Sequence, residues 1–480
     1  MSSIDLKPLI ANHPKGTTIY LSGIGGIGIS AIAEMLHHYG FTVIGSDQAA
    51  NNNTARLQKR GIEIYIGQVE ENINKQKIEY LIRSTAVGDG NPEIIAARAK
   101  GITILSRAEI LAAILKLKKA IIISGSHGKT TTTSLIAHMA CSSVIDPSVI
   151  SGGIMNGYDS NVIIGQGEWL VAEADESDGS FKELSSEISI ITNIEAEHMD
   201  YFKTEANLKQ SFLDYIKKVP ASGFNIICYD DLICQELIQK SHNSNIISFG
   251  FGKEANIVVS NLDISEGTSR FSISSNTAKI QCDESAVYEL ALVGKFNVLN
   301  AVAAIIVGIL LQIDDLVIKR SLKGFRGIQR RMTLTGQVQG IKIYDDYAHH
   351  PTEIAVTLEA IKNCVVKPKS KIMAVFQPHR YSRVRDHYNE FIKALLIADK
   401  ILVTDIYAAG ESPIPGISKE AICNDINLES GDKCALIENI DNLSHDIKQY
   451  VSEGDVVICL GAGDITKYAN LLPMQLSKIL

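Results

Sequence analysis

Short runs of apolar residues alternate along this chain with amphipathic stretches of about ten to fifteen residues, the pattern of strands and crossover helices in a parallel sheet. Thr17–Ser22 (TTIYLS) reads as a buried strand that runs into GIGGIG, followed by the helical spacing of ISAIAEMLHHYG, ending at Gly40. FTVIGSD is a second strand, ending at Asp47; Tyr80–Arg83 ends in Ser84–Thr85, and Ile102–Leu105 ends in Ser106–Arg107. Ala108–Lys119 reads as a helix leading into a second unit, whose first strand runs into SGSHGKTTTT. Trp169–Asp175 (WLVAEAD) alternates so that Val171, Glu173 and Asp175 share one face. Ile188–Thr192, Phe224–Ile227 and Ile246–Phe249 continue the pattern, and Ile257–Ile273 predicts an antiparallel excursion. LVGKFNVLNAVAAIIVGILLQI is a core helix with Asn297 and Asn300 at its head, where a cap and an adenine contact both fit. The remainder repeats strand–helix units: IKIYDDYAHHPTEI, KIMAVFQPHRYSR, ADKILVTDIYAAG, KCALIENI and GDVVICLGAGDI. Each places polar residues at a strand's carboxyl end, as in a doubly wound sheet.

Two glycine-punctuated loops stand out. In Ile121–Thr133 (IIISGSHGKTTTT), a strand, a tight turn and a helix N-terminus follow one another. Turn amides and the helix dipole make an anion site; Lys129 adds a charge for terminal phosphates, and the Thr130 hydroxyl suits magnesium. The spacing departs from the usual phosphate loop, since Ile123 stands where its first glycine belongs and the nearest glycine is Gly125. Earlier in the chain, Gly23, Gly25 and Gly28 match G-x-G-x-x-G with Asp47 about twenty residues on, which reports a diphosphate at a helix N-terminus. NAD, FAD and a UDP-sugar all satisfy it. Ser84 and Ser106 fit either a ligand crevice or plain turn chemistry. Strand ends also deliver Glu173 and His198 to the edge that carries Lys129 and Thr130: a carboxylate and a hydroxyl suit Mg²⁺, and the imidazole is either a second ion's ligand or a cap. Arg326, Arg330 and Arg331 lie in the connector GFRGIQRRM, either solvated or placed to clamp phosphates. Asp345, Asp346, His349 and His350 cluster before Pro351, and His379, Arg380 and Arg383 after the next strand.

A chain of 480 residues is too long for one core and suggests about three domains of roughly 150 residues. The pattern predicts an α/β protein with a Rossmann-like N-terminal domain over 1–118, a central P-loop ATPase-like domain with a mostly parallel sheet over 119–327, and a Rossmann-like C-terminal domain over 328–480. A net charge of −8 disfavours nucleic-acid binding. Eight cysteines with no CxxC pair read as reduced thiols, not as a zinc site or a disulfide frame. The start MSSIDLKPLI lacks a cationic, apolar leader, and the apolar run Ala301–Leu311 is too short to cross a bilayer. A cytoplasmic protein with no obligatory protein partner is expected.

Taken together and in order, GIGGIGISAIA, SGSHGKTTT, EADESDGSF, TNIEAEHMDYF, KFNVLNAVAA, DDYAHHPTEI, FQPHRYSR and LGAGDI resemble the motif set of the Mur ligases, from about Thr17 to Asp464. That resemblance implies a reaction in which a sugar-nucleotide carboxylate attacks the γ-phosphate of ATP, and an amino-acid amine then attacks the resulting acyl phosphate. Within the family the motifs are most similar to those of members that use UDP-N-acetylmuramate and L-alanine, with ATP and Mg²⁺. By matching position, Gly125, Ser126, His127, Gly128, Lys129, Thr130 and Thr131 would bind the ATP phosphates, Asn297 would face adenine, Asp346 would lie on the nucleotide side, and Arg326 and Arg331 would approach the phosphates. Ser22, Gly23, Gly25, Gly26, Gly28, Asp47, Ser84, Ser106 and Arg107 would hold the UDP-sugar. His349, His379, Arg380 and Arg383 would line the amino-acid side; Lys129, His198, His349 and Arg380 would be catalytic, and Thr130, Glu173 and His198 would ligate metal. Phe296 stands where the family often has histidine, Ser126 where threonine is usual, and no lysine matches the carbamylated residue of sister enzymes. The alternatives are a member that recycles a tripeptide onto the same sugar, an NAD-dependent oxidoreductase that would leave Lys129 and Glu173 idle, and a regulator without turnover.

Overall fold

The computed structural model describes residues 4–11, 16–158, 160–174, 176, 179–241, 245–265, 267–364 and 370–480. Asp175, expected on the face of Glu173, lies outside them. Contacts divide the chain into two compact units, one of Met1–Leu262, Phe271–Glu289 and Leu299–Phe325, the other of Asp263–Arg270, Leu290–Val298 and Arg326–Leu480.

The first sheet holds β1 (Thr18–Ser22), β2 (Thr42–Asp47), β3 (Glu63–Ile66), β4 (Tyr80–Arg83) and β5 (Thr103–Ser106) in the order β3-β2-β1-β4-β5. All its pairings are parallel. Because β1 lies between strands reached in opposite directions, the loop at its carboxyl end opens into the crevice where such sheets bind ligands.

The second sheet is built on β6 (Lys119–Ser124), β7 (Ser148–Met155), β8 (Ser160–Ile163), β9 (Trp169–Glu173), β10 (Ile188–Ile191), β11 (Phe224–Cys228) and β12 (Ile246–Gly250), ordered β12-β11-β10-β6-β9-β7-β8. β13 (Ile257–Ser265), β14 (Thr268–Ser275) and β15 (Tyr288–Leu290) extend it to ten strands. The expected excursion is thus two neighbouring strands, and β13 joins β12 in parallel. Ile121, Ile122 and Ile123 of β6 are fully buried, each contributing about 2–3 kcal/mol relative to exposure. A strand covered on both faces has no polar side to show, which is why it reads as an unbroken apolar run. The register pairs Ile123 with Glu173 on β9 and Ser124 with Ile191 on β10, so three parallel strands end at one edge.

In the second unit a sheet runs β16 (Thr333–Val338), β17 (Ile341–Asp346), β21 (Val456–Leu460), β18 (Ile372–Phe376), β19 (Lys400–Val403), β20 (Cys434–Leu436), with only β16 antiparallel. Among the described residues, no helix is long and apolar enough to cross a membrane.

Candidate functional site

The loop after β6 is shaped by its glycines. Gly125 and Gly128 have φ of +120° and +85°, values that a side chain resists. A Cβ on Gly125 would lie 2.7 Å from the Asn193 carbonyl oxygen, and one on Gly128 2.5 Å from Asn300 Oδ1. The end of β10 templates the loop. Ser126 N donates to Asn193 O at 3.0 Å and His127 N to Asn193 Oδ1 at 2.8 Å. Asn193 Nδ2 and Thr192 Oγ1 donate to the His127 carbonyl at 3.0 and 2.6 Å. Gly128 then opens the helix Lys129–Cys141 without a side-chain cap, which leaves the helix's leading amides to an anion. Lys129 Nζ donates to the Gly125 carbonyl, to Ser126 O at 3.0 Å and to Glu176 Oε1 at 2.7 Å.

At the same edge Thr130 Oγ1 donates to Glu173 Oε2 at 2.9 Å, while Gly152 N and Ser151 Oγ donate to Oε1 at 2.6 and 3.2 Å. Desolvation pushes the Glu173 carboxyl above its ordinary pKa, opposed by the Gly152 amide, the Thr130 hydroxyl and the Lys129 charge. His198 caps the short helix Met199–Phe202 at φ +56°, with Nε2 3.9 Å from Glu176 Oε1 and 4.0 Å from Glu197 Oε2. Ligand atoms of Glu176, Glu197 and His198 all lie within 4.8 Å of one another. His127 Nε2 is 3.4 Å from Glu195 Oε1. Hard carboxylate and hydroxyl oxygens with one imidazole fit a magnesium-like cation. Glu176, Glu195 and Glu197 were not singled out from sequence; the available signal was that they flank the strand ends of β9 and β10, which carry Glu173 and His198.

The glycine loop of the first sheet is tied to β2, with Gly23 N and Ile24 N both donating to Ser46 O at 2.9 Å. A Cβ on Gly23 would lie 2.9 Å from Ser84 Cβ and one on Gly28 3.3 Å from Arg107 Nη1, so Gly23, Gly26, Gly28, Ser84 and Arg107 come together around the loop. Three residues of the expected set bond to groups within the chain. Asp47 Oδ2 accepts from Gly25 N at 2.8 Å, because the end of β2 folds over the loop. Ser22 Oγ donates at 2.6 Å to Glu93, a fully buried carboxylate that also accepts from Tyr20 OH at 2.7 Å, Ser46 Oγ at 2.7 Å and Asn72 Nδ2 at 2.9 Å. Ser106 caps Arg107–Leu115 in a reciprocal box with Glu109, the turn chemistry of its other reading.

In the second unit Asp346 is buried, with Oδ1 accepting from Ala348 N and Oδ2 from Met332 N, both at 2.7 Å. Burial lifts its pKa to about 6 against the pull of Arg331. Arg331 reaches Glu353 Oε1 at 3.2 Å, and His349 N donates to Glu353 Oε2 at 3.1 Å. The His349 and His379 rings are 5.8 Å apart, Tyr407 stacks on His379 at 5.6 Å, and Arg383 Nη1 is 3.1 Å from His379 Nδ1. Arg380 (φ +66°) bonds through its amide to Tyr407 O at 2.9 Å, completing this group. Burial, then His349, Arg383 and Arg380, lower the His379 pKa to about 3. Of the connector arginines, Arg330 and Arg331 both lie over the Tyr347 ring, at 4.6 and 5.4 Å, and Arg331 also pairs with Glu353, while Arg326 is exposed. The buried Asn297 donates to Val293 O at 2.8 Å, and Asn300 packs under Gly128.

A glycine–lysine–threonine loop beside acids and an imidazole, with a second glycine loop in the same unit, defines a nucleotide-binding α/β enzyme of the kind that handles phosphoryl groups. The chain belongs to the Mur ligase family. Family models match as the Mur ligase family catalytic domain over residues 18–119, the Mur ligase middle domain over 123–308 and the Mur ligase glutamate ligase domain over 330–463. The UDP-N-acetylmuramate–L-alanine ligase of Azorhizobium caulinodans is 40% identical over 466 residues, covering 96% of this chain and 98% of that one. The enzyme of the same name from Agrobacterium fabrum is 40% identical over 464 residues, 96% and 97% of the two chains. The crystal structure of UDP-N-acetylmuramate-alanine ligase from Thermotoga maritima superimposes with a TM-score of 0.81 at 29% identity, covering 96% of this chain and 100% of that one. A murein peptide ligase from Psychrobacter arcticus shares the fold at a TM-score of 0.71 and 21% identity, over 97% and 100% of the chains. Membership of this family sets the oxidoreductase reading aside.

Proposed function

We propose that this chain is the ATP-dependent ligase that joins L-alanine to UDP-N-acetylmuramate through an acyl phosphate, releasing ADP and phosphate, in peptidoglycan precursor synthesis. The observation that carries the reading is the gathering of Lys129, Thr130, Glu173, Glu176 and His198 at one sheet edge, in the unit that also holds the Gly23–Gly28 loop. Bringing a carboxylate to a triphosphate sets anion against anion, so catalysis here is positioning and charge neutralisation. Residues Gly125 to Thr131 cradle the phosphates through loop and helix amides, and Lys129 exchanges Glu176 for phosphate oxygen. Thr130 and Glu173 would hold one Mg²⁺, with Glu176, Glu197 and His198 able to serve a second; when bound, such an ion neutralises phosphate charge.

The sugar carboxylate attacks the γ-phosphorus and ADP leaves; the alanine amine then attacks the acyl carbon and phosphate leaves. Gly23, Gly25, Gly26, Gly28, Ser84 and Arg107 are assigned to the UDP-sugar, whereas Ser22, Asp47 and Ser106 are read as supports of its loop. In the second unit, Asn297, Arg326, Arg331 and Asp346 are assigned to the nucleotide, and His349, His379, Arg380 and Arg383 to the amino acid, whose carboxylate suits a guanidinium. We read the domains as 1–118, 119–327 and 328–480, and the location as cytoplasmic, where free thiols persist. ADP release measured with ATP, Mg²⁺, UDP-N-acetylmuramate and a panel of amino acids tests the reading: alanine-dependent ADP is expected, and none with any amino acid would refute it.

A further inference from the structure

Away from the two loops, a buried polar cluster on the first unit's interior joins them. Asn161 on β8 is fully buried. Its Nδ2 donates at 2.7 Å to the carbonyl of Ile27, in the first turn of the helix Ile27–His38 that opens directly from the Gly23–Gly28 loop. Its Oδ1 accepts from Arg56 Nη2 at 2.8 Å. Arg56 is fixed in turn: its Nη2 reaches Ser30 Oγ at 3.3 Å, and its Nε lies 3.0 Å from Glu34 Oε1. Glu34 has no exposed side-chain surface and pairs also with Arg60 at 3.0 Å. On the far side, the helix Ile27–His38 packs on β7 and β8. β7 carries Ser151 and Gly152, the two residues whose hydroxyl and amide hold Glu173. The β7–β8 ladder is irregular between Ile150 and Met155, and the Asn161 side chain spans it: Nδ2, bonded to Ile27 O, also lies 3.5 Å from the carbonyl of Ser151, one of the residues that hold the carboxylate beside Thr130.

This geometry bears on the reaction proposed above, on which the inference rests. A carboxylate delivered by one loop must meet a phosphorus held by the other at about 3–3.5 Å, and a misplacement of about 1 Å can cost ~10²-fold in rate. Asn161 bonds the Ile27 carbonyl and Arg56 the Ser30 hydroxyl, so neither uses an amide of the Gly23–Gly28 loop. We propose that Arg56 and Asn161 are positioning residues that fix the register of the sugar-nucleotide loop against the Lys129–Glu173 edge, and so set the approach of the two reactants without contributing to the binding of either.

Two variants test this in the full chain. Asn161→Asp keeps an oxygen for Arg56 and loses the donor to Ile27, and Arg56→Lys keeps a charge beside Glu34 and loses the planar fork that reaches Asn161. Calorimetry gives Kd for UDP-N-acetylmuramate alone and for Mg·ATP alone, and ADP release gives kcat. The expected result is both Kd values within about twofold of wild type while kcat falls at least ~10-fold in each folded variant. A kcat within twofold of wild type in either variant overturns the proposal, as does a loss confined to the Kd values. A wild-type chain that binds both ligands but forms no ADP would instead overturn the ligase reading, a distinct result because it needs no variant.

Discussion

Replacing Glu173 with glutamine removes a charge and leaves the shape. In the structure Oε1 accepts from Gly152 N and Ser151 Oγ, and Oε2 from Thr130 Oγ1. A glutamine can keep its oxygen on Gly152 and Ser151 and turn its amide toward Thr130, whose hydroxyl rotates to accept. Three hydrogen bonds survive, so stability should change by no more than about 1 kcal/mol, or a melting shift under about 4 °C. A cation held between Thr130 and Glu173 would lose far more. Unit charges 4 Å apart attract by about 4 kcal/mol at an effective dielectric near 20, and a divalent ion doubles this. Desolvation of both partners offsets most of the attraction, yet a remainder of about 1.4 kcal/mol moves a binding midpoint tenfold. Phosphate release titrated with Mg²⁺ at fixed ATP should therefore show a midpoint at least ~10-fold higher in Glu173→Gln, with melting preserved. An unchanged magnesium midpoint would refute the ligand role, and a collapsed melting temperature would refute the claim that only charge was removed.

Lys129→Ala should lower turnover at least ~10²-fold, the scale of one transition-state charge contact; near-normal turnover would remove Lys129 from the chemistry. Gly25→Val sets a Cβ 2.8 Å from Asp47 Oδ2 and 3.0 Å from Thr54 Cγ2. It should weaken UDP-sugar binding by about tenfold or more through the lost Gly25–Asp47 bond, with ATP binding spared; calorimetry showing equal loss of both would mean misfolding. His379, lowered to about 3 by burial and its cationic neighbours, should stay neutral from about pH 5 to 8, where an unperturbed imidazole would titrate near 6.5. Histidine NMR resonances settle this, and a His379 midpoint near pH 6 would contradict the burial argument.

Much of this was legible because it is local. The strand–glycine–helix order around Gly23–Gly28 and Gly125–Lys129 is written in adjacent residues, and β6 and β9 announce themselves by apolar runs ending in polar groups. The parallel register that puts Lys129, Glu173 and His198 on one edge followed from strand direction alone. What stayed hidden depends on tertiary contact. Nothing in the spacing says that Lys129 pairs with Glu176, 47 positions on, or that Glu197 stands beside His198 as a partner and not merely a neighbour. Asp47 matched a ribose-binding acid by distance along the chain, but its oxygen turns to the Gly25 amide, a choice made by how β2 closes over the loop. Asn297 and Asn300 read alike by residue pattern, and only the family resemblance picked out Asn297; Asn297 bonds the Val293 carbonyl and Asn300 packs under Gly128.

The acid at position 93 sits beneath the Gly23–Gly28 loop with donors arriving from Tyr20, Ser22, Ser46 and Asn72. Such a floor has no tolerance for piecemeal drift. Losing the acid strands the Tyr20, Ser22 and Ser46 hydroxyls at once, while Asn72 Nδ2 keeps the Gly67 carbonyl at 2.9 Å, and losing any single donor leaves the buried carboxyl short of a partner. Related chains that vary here are expected to do so as a set, exchanging the acid and its hydroxyls together.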